Sequence, residues 1–340
     1  MGPLMSDTNA GLICAVVFDD TGKGREIDWP EIDAWRPGNG FLWVHLDFRD
    51  PQAIIWVQQH VLDAQAAATL LADETRPRAV AQGDHLLVCL RGVNLNPESD
   101  PEDMVSVRIW MGPDRIITTR HRRIMAVTDA RAEFARGTGP KSIGDFLVFI
   151  ADRLMRRMGP TLDQLEDAVD TLEGGILEGD GEGDEKRRQS DSPDLRRALG
   201  RVRRQAIELR RYLAPQRDAM NRLLIEPMPW MNPSQKAQLR EVSDHITRFV
   251  EDLDALRDRG AVVQDELRNR ISEDMNRTVY VLTVISAVLL PLSFITGLLG
   301  INVDGLPGAK DAPKAFWLVS GGLALVASIQ IWLFRRLRWL

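Results

Sequence analysis

Asn276, Val279, Thr283, Ser286, Leu290, Ser293 and Gly297 recur at alternating intervals of three and four residues, and Gly300 follows in the same rhythm. That spacing places them on one stripe of an α-helix, the a and d seam of a heptad. The stripe collects an amide, three hydroxyls and two glycines, while the positions between them are mostly Val, Leu, Ile and Phe. Amides and hydroxyls on one face of an otherwise apolar helix can line a water-accessible path. Small and polar residues on one face of a membrane helix also let two helices approach closely. The residue types leave both readings open: a packing seam, or a water-accessible path with Val279 and Leu290 as apolar constrictions. One copy of a helix cannot enclose a path, so the second reading requires a symmetric ring of subunits.

The stripe belongs to an element that can cross a membrane. No charged residue occurs from Thr278 to Val303, nor from Ala315 to Phe334. A helix needs roughly 20 apolar residues to cross about 30 Å of hydrocarbon, and both runs suffice. The Gly- and Pro-containing stretch VDGLPGAKDAPK separates them, which predicts a hairpin of two spans. Arg335, Arg336 and Arg338 follow the second run, and positive flanks stay in the cytoplasm. Both termini are therefore expected on the cytoplasmic side of a plasma membrane (bacterial inner membrane), with the loop outside. Pro291 lies mid-span, where it removes one helical hydrogen bond and favours a local bend.

The rest of the chain must position this hairpin. Of 340 residues, 27% are charged and the formal net charge is −6, which argues against nucleic acid as a partner and fits a cationic one. ICAVVF, FLWVHLD, HLLVCLRGV, MVSVRIWM and RIITTR read as strands, and the stretch from Pro51 to Asp73 reads as helical. Residues 1–140 are thus expected to form a cytoplasmic α/β layer domain. Residues 141–233 follow as a cytoplasmic helical part, interrupted by a flexible acidic linker at about 178–194. From 234 to 301 one helix is expected, a stalk that becomes the first span at 278–301. Asn232 or Ser234 is its N-cap, with Pro233 at its start. A loop at 302–314, a second span at 315–334 and a basic tail at 335–340 complete the expected architecture.

With that arrangement in place, the run YVLTVISAVLLPLSFITGLLGIN resembles the CorA superfamily of divalent-cation transporters, whose hallmark is Gly-Met-Asn at the end of the first span. Here the tripeptide is Gly300-Ile301-Asn302. That variant, followed by VDGLPGA, is similar to the zinc-transporting ZntB branch. The magnesium branch carries an acidic loop with a Met-Pro-Glu-Leu-like element, which this loop lacks. FLWVHLD, DETRPRAV, LLVCLRGVN and LAPQRDAMNRLL extend the likeness more faintly along the chain. The resemblance implies a funnel-shaped homopentamer of α+β/α membrane subunits, with first spans around the axis and second spans outside. Asn276, Val279, Leu290 and Ser293 would be pore-lining, in agreement with the stripe. Gly300, Ile301 and Asn302 would form the mouth, where Asn302 oxygens meet a hydrated ion. Asp304 would add attraction for cations outside. The implied cargo is a divalent cation, zinc first, with possible proton coupling, and magnesium or cobalt as the alternative.

Resident metal chemistry is not expected. The five histidines, His45, His60, His85, His121 and His245, include no pair at i, i+4, and no CxxC is present. Asp244 and His245 are adjacent on the stalk and could touch an ion, although solvated surface residues are the commoner reading. Cys14 and Cys89 sit in apolar runs and read as buried reduced thiols. No GxSxG, HExxH or GxxxxGK[ST] occurs, so an enzyme with a hairpin anchor has no chemistry to point to. No cofactor is implied.

Overall fold

The computed structural model describes residues 11–178, 193–300 and 315–336, Asn39 and Leu62 excepted. The described chain divides into two compact units, residues up to Gln264 and residues from Asp265 onward.

The first unit is built on a seven-stranded sheet. Its strands are β1 (Leu12–Phe18), β2 (Gly24–Ile27), β3 (Phe41–Asp47), β4 (Arg78–Gln82), β5 (His85–Gly92), β6 (Val105–Met111) and β7 (Arg115–Arg120). Their order across the sheet is β2-β1-β3-β7-β6-β5-β4. Five pairings are antiparallel, and β3 with β7 is parallel, registered Leu42 opposite Arg115 through Asp47 opposite Arg120. The five strands expected from β-branched runs are all present. The two edge strands are polar, GREI and RAVAQ, and lack the apolar run that announces a strand.

The strands at the centre are covered on both faces, which explains why β3 is buried at six consecutive positions rather than at alternate ones. On one face lie α1 (Trp29–Ala34), α2 (Pro51–His60) and α3 (Ala64–Leu70). Their Trp29, Ile32, Trp56, Val57 and Leu70 pack with Leu42, Val44, Leu46 and Ile117. The stretch expected to be helical, Pro51–Asp73, forms two helices. Asp50 caps Gln52 and Asp63 caps Gln65, so a second local N-cap breaks the run. On the other face lie α4 (Met125–Phe134) and α5 (Ile143–Glu178). Phe134 and Phe146 meet Trp43 with ring centroids 5.5 and 5.1 Å apart.

Long helices complete the unit. α6 (Pro193–Ile225) holds β5 through Gln216, whose Oε1 accepts from Arg91 N at 2.6 Å while its Nε2 donates to Arg91 O at 3.2 Å. A side-chain amide thus imitates a neighbouring strand. Arg91 in turn donates to Thr75 O and Met104 O and stacks on Tyr212, 4.1 Å from its ring centre. α7 (Pro233–Leu299) begins in a reciprocal capping box: Gln235 N donates to Asn232 Oδ1 and Asn232 N to Gln235 Oε1, both at 2.9 Å. The expected cap at Asn232 is the one formed. Gln235 Nε2 also donates to Ser142 Oγ at 2.8 Å and Asp145 Oδ1 at 2.6 Å, tying the start of α7 to the start of α5. Farther along, Arg259 bonds Asp170 and Glu173 of α5. The expected acidic linker lies for the most part outside the described residues.

Both cysteines are buried and free, as expected, and burial pushes the Cys14 thiol up to about 12. His45 is fully buried on β3, and its Nδ1 lies 2.8 Å from Thr118 Oγ1, which accepts from Trp43 Nε1 and donates to Val44 O. Burial, with Arg120 nearby, lowers its pKa to about 3. The unfolded chain binds a proton there near pH 6.5, so stability is full above that pH and falls as pH drops toward about 3. The slope from this one group reaches about 1.4 kcal/mol per pH unit. His45→Gln is expected to flatten urea-denaturation stability between pH 6.5 and 4 by that amount relative to the parent. An unchanged pH slope would show that His45 is not the titrating group.

Candidate functional site

The second unit contains the distal part of α7 and α8 (Ala315–Arg336). Both helices are long and apolar enough to cross a membrane. α7 continues through Pro291 without a break in its helical assignment. It ends where Gly300 N donates back to Thr296 O at 3.0 Å and to Gly297 O at 3.2 Å. Ile301, Asn302 and Asp304 lie outside the described residues.

Asn276, Val279, Thr283, Ser286, Leu290, Ser293 and Gly297 are all exposed on α7. Val279 is 57% exposed and Leu290 72%. Reduced exposure falls elsewhere, at Val284, Ala287, Val288, Pro291, Leu292 and Ile295. At 100° per residue, that sheltered side and the polar stripe lie roughly 140° apart around the helix. α8 shows a comparable sheltered side at Ser320, Leu323, Val326, Ala327 and Gln330. One apolar side of the span is thus partly sheltered, while the polar stripe is exposed together with the apolar Leu282, Leu289 and Phe294.

Two of the three hydroxyls on the stripe are already committed as donors. Thr283 Oγ1 donates to Val279 O and Ser286 Oγ to Leu282 O, each at 2.8 Å. Such bonding to the preceding turn hides the proton in the helix. What each hydroxyl then presents outward is oxygen lone pairs, the acceptor that water or a cation requires. Pattern reading identifies the hydroxyls but not this orientation, which depends on the folded backbone. Pattern reading also passed over Gln330, whose Oε1 is buried without a partner among the described residues. In hydrocarbon an unpaired amide costs several kcal/mol, so this atom needs a donor from outside the described chain.

Asp244 and His245, considered above as a possible ion contact, lie on the first unit's part of α7. Among the described residues no group of three or more His, Cys, Asp or Glu side chains is arranged to hold a metal ion.

The sequence model of the family described as "CorA-like Mg2+ transporter protein" matches residues 38–336. The chain belongs to the CorA-like family. The divalent cation transporter CmaX of Pseudomonas aeruginosa is 40% identical over 339 residues, covering 98% of each chain. The zinc transport protein ZntB of Yersinia pseudotuberculosis is 35% identical over 310 residues, covering 91% of each. A solved structure of full-length CmaX superposes with a TM-score of 0.83 at 39% identity, covering 98% of this chain and 100% of that one. The CorA-like fold seen here is an N-terminal α/β domain, a long helix and two candidate apolar C-terminal helices. One of these relatives is named for divalent cations in general and the other for zinc.

Because Thr283 and Ser286 bond only their own helix, Thr283→Val and Ser286→Ala should leave the fold intact. A stability change under about 1 kcal/mol is expected for each, read from thermal melts followed by circular dichroism. A loss of several kcal/mol would mean that the hydroxyls support packing rather than face an open path.

Proposed function

We propose that this protein is a divalent-cation transporter of the inner membrane, carrying zinc, and working as a homopentamer with both termini in the cytoplasm. The observation that carries this reading is the two-faced first span. Its polar stripe is turned away from the partly sheltered apolar side and is exposed among the described residues. Polar groups left facing lipid would be costly, whereas five copies facing a shared axis would line a wet path. Similarity to CmaX and ZntB supports divalent cations as cargo.

In that ring, Asn276 lies at the cytoplasmic end and Thr283, Ser286, Ser293 and Gly297 line the passage. Val279 and Leu290 form narrow apolar collars, where exclusion of water can close the path. Gly300, Ile301 and Asn302 form the outer mouth. Five Asn302 amide oxygens accept hydrogen bonds from the waters of a hydrated ion, without the charge that would trap it. Asp304 raises cation concentration outside. No carboxylate or histidine lies on the span between Thr278 and Gly300, so any coupled proton travels by water or by groups beyond the span. Zinc is preferred over magnesium because the mouth carries Ile301 and because ZntB is a zinc transport protein. A magnesium or cobalt path is the second reading, favoured by the family's own description.

Purified protein in liposomes should take up zinc faster, by severalfold, when the proton gradient points in the same direction. Magnesium flux without zinc flux would establish the second reading. Asn302→Ala should cut zinc flux at least tenfold while native mass spectrometry still gives five subunits. Full flux in that variant removes Asn302 from the mouth.

A further inference from the structure

The first unit holds a concentration of arginines that cation transport leaves unused. Arg49, Arg120, Arg122 and Arg123, with Asp47 and Asn96, line a cavity of about 390 Å³. It lies at the carboxyl ends of β3 and β7, the parallel pair in the sheet, since Asp47 and Arg120 are the last residues of those strands. In open α/β sheets the crevice beyond the carboxyl ends of parallel strands is where ligands collect. The chain then enters α4 at Ile124, where no side chain caps the helix, and its N-terminal dipole adds to the positive field.

The charges do not cancel. Arg49 grips Asp47 in a two-pronged pair, Nε to Oδ1 at 3.0 Å and Nη2 to Oδ2 at 2.6 Å. Arg122 is bound to Asp103. Arg120 is half-buried, and its side chain has no ion pair among the described residues. Arg123 has only a long contact from Nε to Thr128 Oγ1 at 3.4 Å. Two of the four guanidinium groups therefore have no direct ion pair among the described residues, in a chain whose formal net charge is −6. Burial pushes the Arg120 pKa down, the nearby Asp47 carboxylate opposes this, and Arg123 and Arg49 push it down to a lesser degree. The loop is held ready: Asn96 Nδ2 donates to Arg123 O at 3.1 Å and to Asn94 Oδ1 at 2.7 Å.

We infer that this cavity binds a soluble phosphate-bearing anion of up to diphosphate size, held chiefly by Arg120 and Arg123. Planar guanidinium groups match phosphate oxygens in pairs, and two cations with no direct ion pair call for a dianion. A single carboxylate leaves one unmatched, and so does the phosphodiester of a lipid headgroup, which carries one charge. The site is distinct from the span and does not depend on the transport reading.

The test is titration calorimetry on the full-length protein in phosphatidylcholine nanodiscs, in EDTA and monovalent salt, with pyrophosphate as the probe. Pyrophosphate should bind, and more weakly as salt rises. Arg120→Gln/Arg123→Gln should weaken binding at least tenfold, and Arg123→Gln alone severalfold. Arg204→Gln, an exposed arginine of α6 paired with Glu208, should leave it unchanged. Arg123 is exposed, so its variant should melt as the parent does. Undiminished pyrophosphate binding in a normally folded Arg123→Gln variant overturns the proposal. So does the absence of pyrophosphate binding, or arginine-dependent flotation with phosphatidylglycerol vesicles alone.

Discussion

Backbone polar groups in hydrocarbon must find their partners within the chain, and this constraint shapes the rest of the molecule. It makes each span a helix, and the first span is the distal part of one helix, α7, from Pro233 to Leu299. A helix of that length, roughly 100 Å at 1.5 Å per residue, draws most of its stability from packing rather than propensity. In the first unit that packing is provided by buried Leu239, Val242, Ile246, Val250 and Leu253, with the capping box at Asn232 and Gln235 and the Arg259 pairs to α5 fixing the helix in place. In the second unit it is provided by one apolar side, which leaves the polar stripe free for another use.

On the proposed reading of the stripe as the cation path, the same constraint explains its chemistry. A charged ligand in the span would be expensive to bury and would hold a divalent ion too tightly to pass it on. The hydroxyls of Thr283 and Ser286, which give their protons to the preceding turn, avoid both problems. They satisfy the helix inwardly and offer neutral acceptors outwardly. Weak, repeated acceptors suit conduction, whereas a closed cluster of Cys and His would suit storage.

Much of this was legible in the chain. β-branched runs announced β1, β3, β5, β6 and β7, and the uncharged runs announced the two long apolar helices. Asn232 before Pro233 announced the start of α7. The edge strands β2 and β4 were hidden because their residues are polar; they are strands only because β1 and β5 pair with them. The break between α2 and α3 was hidden because the apolar periodicity runs through it, and Asp63 stops it by a local hydrogen bond.

By itself, the sequence determined which residues share a helical face, since the period of 3.6 is a property of the backbone alone. It therefore determined the stripe from Asn276 to Gly297 and the apolar character of its surroundings. Only the tertiary structure decided which side is partly sheltered, at Val284, Val288, Leu292 and Ile295, because shelter depends on neighbours that the local pattern does not name. Only the tertiary structure decided that β3 and β7 lie parallel and side by side. That pairing joins residues some 70 positions apart and brings Arg49, Asn96, Arg120 and Arg123 around one cavity. Long-range proximity of this kind leaves no local pattern, because each arginine taken alone reads as an ordinary solvated charge.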